Sequence, residues 1–190
     1  MKQNRQLKFL KILAGGILGL FVGCQTQPTK VIEESVDVFA DRTVLVDTRD
    51  AFLYQSFHIS GSVNLNSSEF VILKNPKTKK RIFDPDLSQT IERLARRGLS
   101  PDRHVILISE RADDIENKKW RWLLRGLEIE DITLISMDDF KKKYKMKSYA
   151  EASRQEPWVL KLSENLQKEL ILKKAQSCFV NWSEKVCHSF

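Results

Sequence analysis

Ser109 closes the hydrophobic run Val105-Ile106-Leu107-Ile108 and is followed by Glu110-Arg111-Ala112-Asp113-Asp114. A hydroxyl at the end of a buried strand becomes a nucleophile when a neighbouring base takes its proton, and His58 and His104 are the histidines placed to be considered. The Gly-x-Ser-x-Gly elbow that presents such a serine is absent, because Ser109 lies between Ile108 and Glu110, and His104 begins the strand rather than a loop. Glu110, Asp113, Asp114 and Glu116 are also candidate ligands for a divalent cation. Carboxylates at a helix start serve equally to satisfy its first N–H groups and its macrodipole. Capping is the reading adopted, and neither a metal nor a cofactor is expected.

These residues need elements to hold them. Val44-Leu45-Val46 has the composition of a strand buried on both faces, and it delivers Asp47 and Arg49 to its end. Asp50 can cap a short helix running to Phe57, and Val63-Asn64-Leu65 resumes extended structure. Residues 67–85, with Asn75-Pro76-Lys77 and the cationic run Lys77 to Arg81, suggest an insertion loop. A helix starting at Asp86 or Ser88 carries Ile91 and Leu94 and stops at Gly98, and Ser100-Pro101-Asp102 turns the chain into the strand Val105 to Ile108. A helix from about Asp114 to Arg125 ends at Gly126, and a strand Ile132 to Ile135 precedes a short helix around Asp138 to Tyr144. This βαβα succession predicts an α/β sandwich with a mainly parallel central sheet.

Two stretches resemble the halves of a rhodanese-like domain. Val44-Leu45-Val46-Asp47-Thr48-Arg49, then Phe57-His58-Ile59-Ser60-Gly61-Ser62-Val63-Asn64, is similar to that family's strand ending in Asp-x-Arg and its His-Ile-x-Gly-x turn. In the second, Val105 to Ser109 resembles the strand that ends in the family's catalytic cysteine, with Gly126 at the distance where the family has a glycine. The resemblance covers Ser35 to Tyr144 and implies a three-layer sandwich. It makes Asp47, Arg49, His58 and Gly61 structural. The family's loop reads roughly Cys-x-x-Gly-x-Arg; here Ser109 replaces the cysteine, Ala112 the glycine and Asp114 the cation. Sulfur transfer through a persulfide needs a thiolate, which a serine cannot supply. Three carboxylates against Arg111 also make the loop repel anions. The resemblance therefore implies the fold while the residues argue against the activity.

The N-terminus carries Lys2, Arg5, Lys8 and Lys11 with no acid, then an uncharged run from Ile12 to Gly23. This is a signal-peptide pattern, too short at about 18 Å of helix to cross a bilayer core of about 30 Å. Leu20-Phe21-Val22-Gly23-Cys24 resembles the bacterial lipobox, although Phe21 departs from the usual leucine, and acylation of Cys24 would anchor the chain to a lipid membrane. The protein is accordingly expected to be an exported lipoprotein of the cell envelope, periplasmic in a cell with two membranes, with an envelope protein as a possible partner. Losing the four leader cations lowers the formal charge from +7 to +3, so nucleic acid is not an expected partner.

Residues 1–23 are thus read as leader, 24–34 as linker, 35–147 as the rhodanese-like domain and 148–190 as a helical C-terminal extension. In the extension Leu162, Leu166 and Leu170 recur every four residues, with Ile171, Ala175 and Cys178 alongside. They predict an amphipathic helix that packs on the domain or receives a partner. Cys178 and Cys187 are the cysteines left after Cys24, and in an oxidising compartment a disulfide is expected of them. With His188 they form only a weak metal set. The rival functional reading is a sulfurtransferase or thiol–disulfide enzyme using Cys178 or Cys187, although their spacing is not that of a Cys-x-x-Cys redox motif.

Overall fold

The computed structural model describes residues 42–144, 149–161 and 164–187. The leader, Cys24, the linker, Leu162 and His188 lie outside them. Four parallel strands form the central sheet in the order β2-β1-β5-β6: β1 Thr43–Asp47, β2 Val63–Asn64, β5 His104–Ser109 and β6 Ile132–Ser136. The crossovers are carried by helices α1 Ala51–Ser56, α2 Leu87–Arg96 and α3 Ile115–Gly126, and α4 Met137–Tyr144 follows β6.

Alternation along β1 and β5 divides the core in two. Val44, Val46, Val105 and Leu107 pack with residues of α2 and α3, while Leu45, Ile106 and Ile108 pack with Met137 and Phe140 of α4. Strands buried on both faces explain why β1 and β5 read as unbroken apolar runs. The mainly parallel α/β architecture expected from the sequence is therefore present.

The helix ends follow local chemistry. Asp86 caps α2 by accepting from Gln89 N at 3.0 Å. At its other end Gly98 takes φ +85, with Gly98 N bonded to Ala95 O and Leu99 N to Leu94 O, a Schellman closure. α3 ends at Gly126 as expected, but the left-handed residue that closes it is Glu128, at φ 67, and not the glycine. Ile129 N then bonds to Leu124 O, so the same closure forms without glycine.

Residues 67–85 are not the insertion loop expected. A 3-10 turn, Ser67–Phe70, leads into an antiparallel hairpin of β3 Val71–Asn75 and β4 Lys80–Phe83. Phe70 and Phe83 anchor its base in the core, and Asn75 Oδ1 organises the turn by accepting from Lys77 N and Thr78 N. The strand Lys80–Phe83 is hidden in the sequence because its first half is exposed and cationic.

After α4, residues 149–161 pass as an extended strap. Tyr149 N bonds to Ser60 O, Gln155 N to Ala95 O, and Trp158 Nε1 to Leu127 O. α5 Glu164–Ala175 follows, closed by a π-turn, Gln176–Val180. The apolar face differs from the expected leucine stripe. Leu166 is 71% exposed and Leu170 is also exposed, while Ile171, Ala175, Cys178 and Phe179 enter the core beside Trp120 and Phe83. On a helix Leu170 and Ile171 point about 100° apart, and the π-turn carries Cys178 and Phe179 inward. The C-terminal extension therefore packs on the domain. Among the described residues no helix is long and apolar enough to cross a membrane.

Candidate functional site

A cleft of about 270 Å³ opens at the C-terminal ends of β1 and β5. β1 contributes Thr48, Arg49 and the following Asp50; β5 contributes Ser109 and Glu110; the start of α3 contributes Asp114 and Glu116, and Leu53 of α1 closes one side. In an open parallel sheet this is the edge where ligands are received.

The floor is held by one polar chain. Thr48 N donates to Ile108 O at 2.9 Å, which docks β1 against β5. The Thr48 hydroxyl lies 2.8 Å from Asn117 Oδ1 and 3.1 Å from Ile108 O. Asn117 Nδ2 in turn donates to Ala112 O at 3.2 Å, fixing the loop after Ser109 to the first turn of α3. Thr48 and Asn117 are buried, so the exchange of bonds also removes an unsatisfied-donor cost. Neither was singled out from the sequence. Asn117 was detectable in principle, since with Trp120 and Leu124 it shares the inward stripe of α3 at spacings of three and four.

Asp47 and Arg49 form a buried ion pair. Arg49 Nη2 lies 2.6 Å from Asp47 Oδ2, Nε adds 3.0 Å to Oδ1, and Nη2 also donates to Phe57 O at 2.6 Å. The Arg49 guanidinium is pushed above its ordinary range by the hydrogen bonds to Asp47, against the opposing effect of burial, with Asp47, Glu110 and Asp50 adding Coulombic support. The cation in the cleft wall is thus committed to its own strand and to the α1 terminus.

The carboxylates differ in how they are used. Asp50 caps α1, accepting from Phe52 N at 2.9 Å and Leu53 N at 3.0 Å. Asp114 caps α3 weakly, at 3.4 Å from Glu116 N, and Glu116 pairs with Lys119 at 2.6 Å. Glu110 is exposed at the mouth. Arg111 stands 4.0 Å from Asp113 with both side chains in solvent, and neither lines the cleft. Four carboxylates therefore line the cleft against the single, already paired Arg49. Ala112 keeps an ordinary negative φ, so the loop does not use the left-handed backbone that a glycine would permit there.

Ser109 is only 3% exposed, and its hydroxyl has no hydrogen-bond partner among the described residues. Neither His58 nor His104 lines the cleft with it. His104 Nε2 lies 2.9 Å from Thr133 Oγ1 on the neighbouring strand. His58 stacks on Tyr54 and has Nδ1 2.9 Å from Tyr54 O. The Tyr54 hydroxyl donates to Ser62 O at 2.6 Å, and burial pushes its pKa up. Gly61 completes this turn at φ +83, where an added Cβ would sit 2.3 Å from Tyr149 O. Cys178 and Cys187 are joined by a disulfide with Cα atoms 5.4 Å apart, buried in the cluster around Trp120 and not lining the cleft. Among the described residues no group of three or more His, Cys, Asp and Glu side chains could hold a metal ion.

A parallel sheet with a strand–loop–helix site at the end of β5, an Asp-x-Arg pair closing β1 and a glycine turn after α1 defines the class of α/β domain. The chain belongs to the rhodanese-like domain family, whose model matches residues 33–142. No curated protein matches the chain.

Proposed function

We propose that the chain is a membrane-tethered, extracytoplasmic rhodanese-like protein that does not transfer sulfur and works as a binding or scaffolding module. The observation that carries this reading is the cleft at Ser109, where a hydroxyl replaces the thiol and four carboxylates face a cation already paired with Asp47. A persulfide cannot form on serine, and an anionic sulfur donor such as thiosulfate meets like charge at the entrance. The rival, an enzyme working through Cys178 or Cys187, is weakened by their burial as a disulfide in the core. The test is cyanolysis with thiosulfate by the full chain in a non-ionic detergent. No turnover above the protein-free rate is expected; turnover that disappears in Cys187→Ser would overturn the reading in favour of the enzyme.

Tethering rests on the leader and the lipobox-like sequence ending at Cys24. Metabolic labelling with a fatty acid should mark the wild-type chain and miss Cys24→Ala. An unlabelled wild-type chain that keeps residues 1–23 would remove the anchor from the proposal.

A further inference from the structure

We propose that the cleft beside Ser109 receives the cationic side chain of a lysine or arginine from a partner protein, with apolar neighbours of that residue resting on Phe52 and Ile115. The inference rests on the non-catalytic binding reading and names the partner chemistry of the same site. Two independent observations meet there. The first is charge: Asp50, Glu110, Asp114 and Glu116 line the cleft, while Arg49 is held by Asp47 and Phe57 O. The second is Ser109, a residue only 3% exposed that lines the cleft and whose hydroxyl makes no hydrogen bond among the described residues. Its oxygen opens to the cleft and is not tied to the protein, so a ligand there can donate to it without displacing a protein partner.

An ammonium brings three N–H donors and a guanidinium five, with no acceptor. Such a group can donate to Ser109 Oγ at the floor and to the Glu110 and Asp114 carboxylates nearer the mouth. An anion has no such match. A small divalent ion is a poorer occupant, because no cluster of three or more metal-binding side chains exists among the described residues.

The chain neighbours of the cleft residues favour a protein segment over a free amine. Phe52, 77% exposed, lies between the cleft residues Asp50 and Leu53, and Ile115, 52% exposed, lies between Asp114 and Glu116. Exposed apolar residues at chain positions adjoining an acidic cleft suit a segment in which a basic residue is bracketed by apolar ones. Charge complementarity then sets the register and the encounter rate, and the apolar rim adds desolvated area.

The probe is an acetylated, amidated peptide Gly-Leu-Arg-Leu-Gly, titrated into the full chain in non-ionic detergent and followed by chemical-shift changes. Parallel arms use Gly-Leu-Glu-Leu-Gly and spermidine. The arginine peptide is expected to shift the amides of Ser109, Glu110 and Phe52, with an affinity that falls as salt rises. In Glu110→Gln/Asp114→Asn the affinity should drop about tenfold, a variant chosen because asparagine still caps α3. Phe52→Ala should weaken the peptide and leave spermidine unchanged.

Equal binding of the glutamate peptide, or unchanged affinity in the double variant, overturns the inference. Spermidine binding as tightly as the peptide overturns its protein-segment part. Thiosulfate turnover is read in the same preparation. Absence of arginine-peptide binding sinks this inference whatever the turnover, whereas turnover with binding intact sinks only the non-catalytic reading.

Discussion

Placing a thiol at position 109 should not by itself give sulfur transfer. Ser109→Cys places a thiol in a site that is buried and lined by Asp50, Glu110, Asp114 and Glu116. Asp50 is partly spent on two amides and Glu116 on Lys119, which leaves Glu110 and Asp114 as the least compensated charges. A carboxylate about 7 Å from a thiolate, in an effective dielectric of about 40 to 80, costs the anion about 0.6 to 1.2 kcal/mol. That is about 0.4 to 0.9 pKa units for each of the two, so the introduced thiol should titrate about one to two units above the ordinary value near 8.5. Burial moves it in the same direction. At pH 8 the thiolate fraction would fall from roughly a quarter to between about 0.3 and 3 per cent. Adding Ala112→Gly and Asp114→Arg exchanges one negative for one positive charge and should lower the thiol pKa by roughly one to two units relative to the single variant. The arginine also removes the α3 cap, at a cost of about 1 kcal/mol. The assay is the iodoacetamide rate against pH, read by mass on the peptide that carries position 109. A single variant with a pKa below about 7.5 and clear thiosulfate turnover would refute the reasoning, by showing that the loop amides and the α3 N-terminus outweigh the carboxylates.

Asp47→Ala strands a buried guanidinium and is expected to lower stability by about 3–5 kcal/mol in urea unfolding; a loss under about 1 kcal/mol would make the pair dispensable. Gly61→Ala should cost more than about 1–2 kcal/mol, because the φ of +83 penalises any Cβ and Tyr149 O stands where that Cβ must go; a wild-type melting temperature would contradict that placement. Reducing the Cys178–Cys187 bond, which closes a loop with a sequence separation of 9, should destabilise the chain by roughly 2.5–3 kcal/mol. Alkylation without reductant should leave both cysteines unmodified, and two modified thiols in protein from its native compartment would count against the bridge.

The sheet was legible because its central strands are buried on both faces and so appear as plain apolar runs, and because Asp86 and Gly98 bracket α2 with unambiguous cap chemistry. The hairpin was not, since β3 and β4 are largely exposed and their period-2 signal is masked by the lysine-rich turn. The α5 face was legible only in part: Ile171, Ala175 and Cys178 are buried as expected, whereas Leu166 and Leu170 are exposed, for a related reason. Four-residue spacing identifies a helical stripe but cannot say which stripe finds a partner, and the aromatic pocket of Phe83 and Trp120 accepts Phe179 rather than the leucines. At the site the charge of the loop was legible from residue types alone. That Arg49 is already committed, and that Asn117 ties the loop to Thr48, depends on side-chain geometry that no spacing rule encodes.

The same geometry explains how the fold accommodates a serine at position 109. The bonds that shape the cleft run through Thr48, Asn117 and Ala112 O on one side and through Asp47, Arg49 and Phe57 O on the other. None uses the side chain at position 109, whose hydroxyl is unpartnered among the described residues. Replacing the residue there therefore leaves the scaffold's hydrogen bonds intact while changing the chemistry the cleft can perform. If no anion has to be held, as proposed, nothing opposes carboxylates at 110 and 114 except their mutual repulsion, and Asp114 serves as the α3 cap. On the proposed reading, the fold sets the edge of the sheet at which a ligand would meet this domain, and the cleft's charges would decide the sign of that ligand.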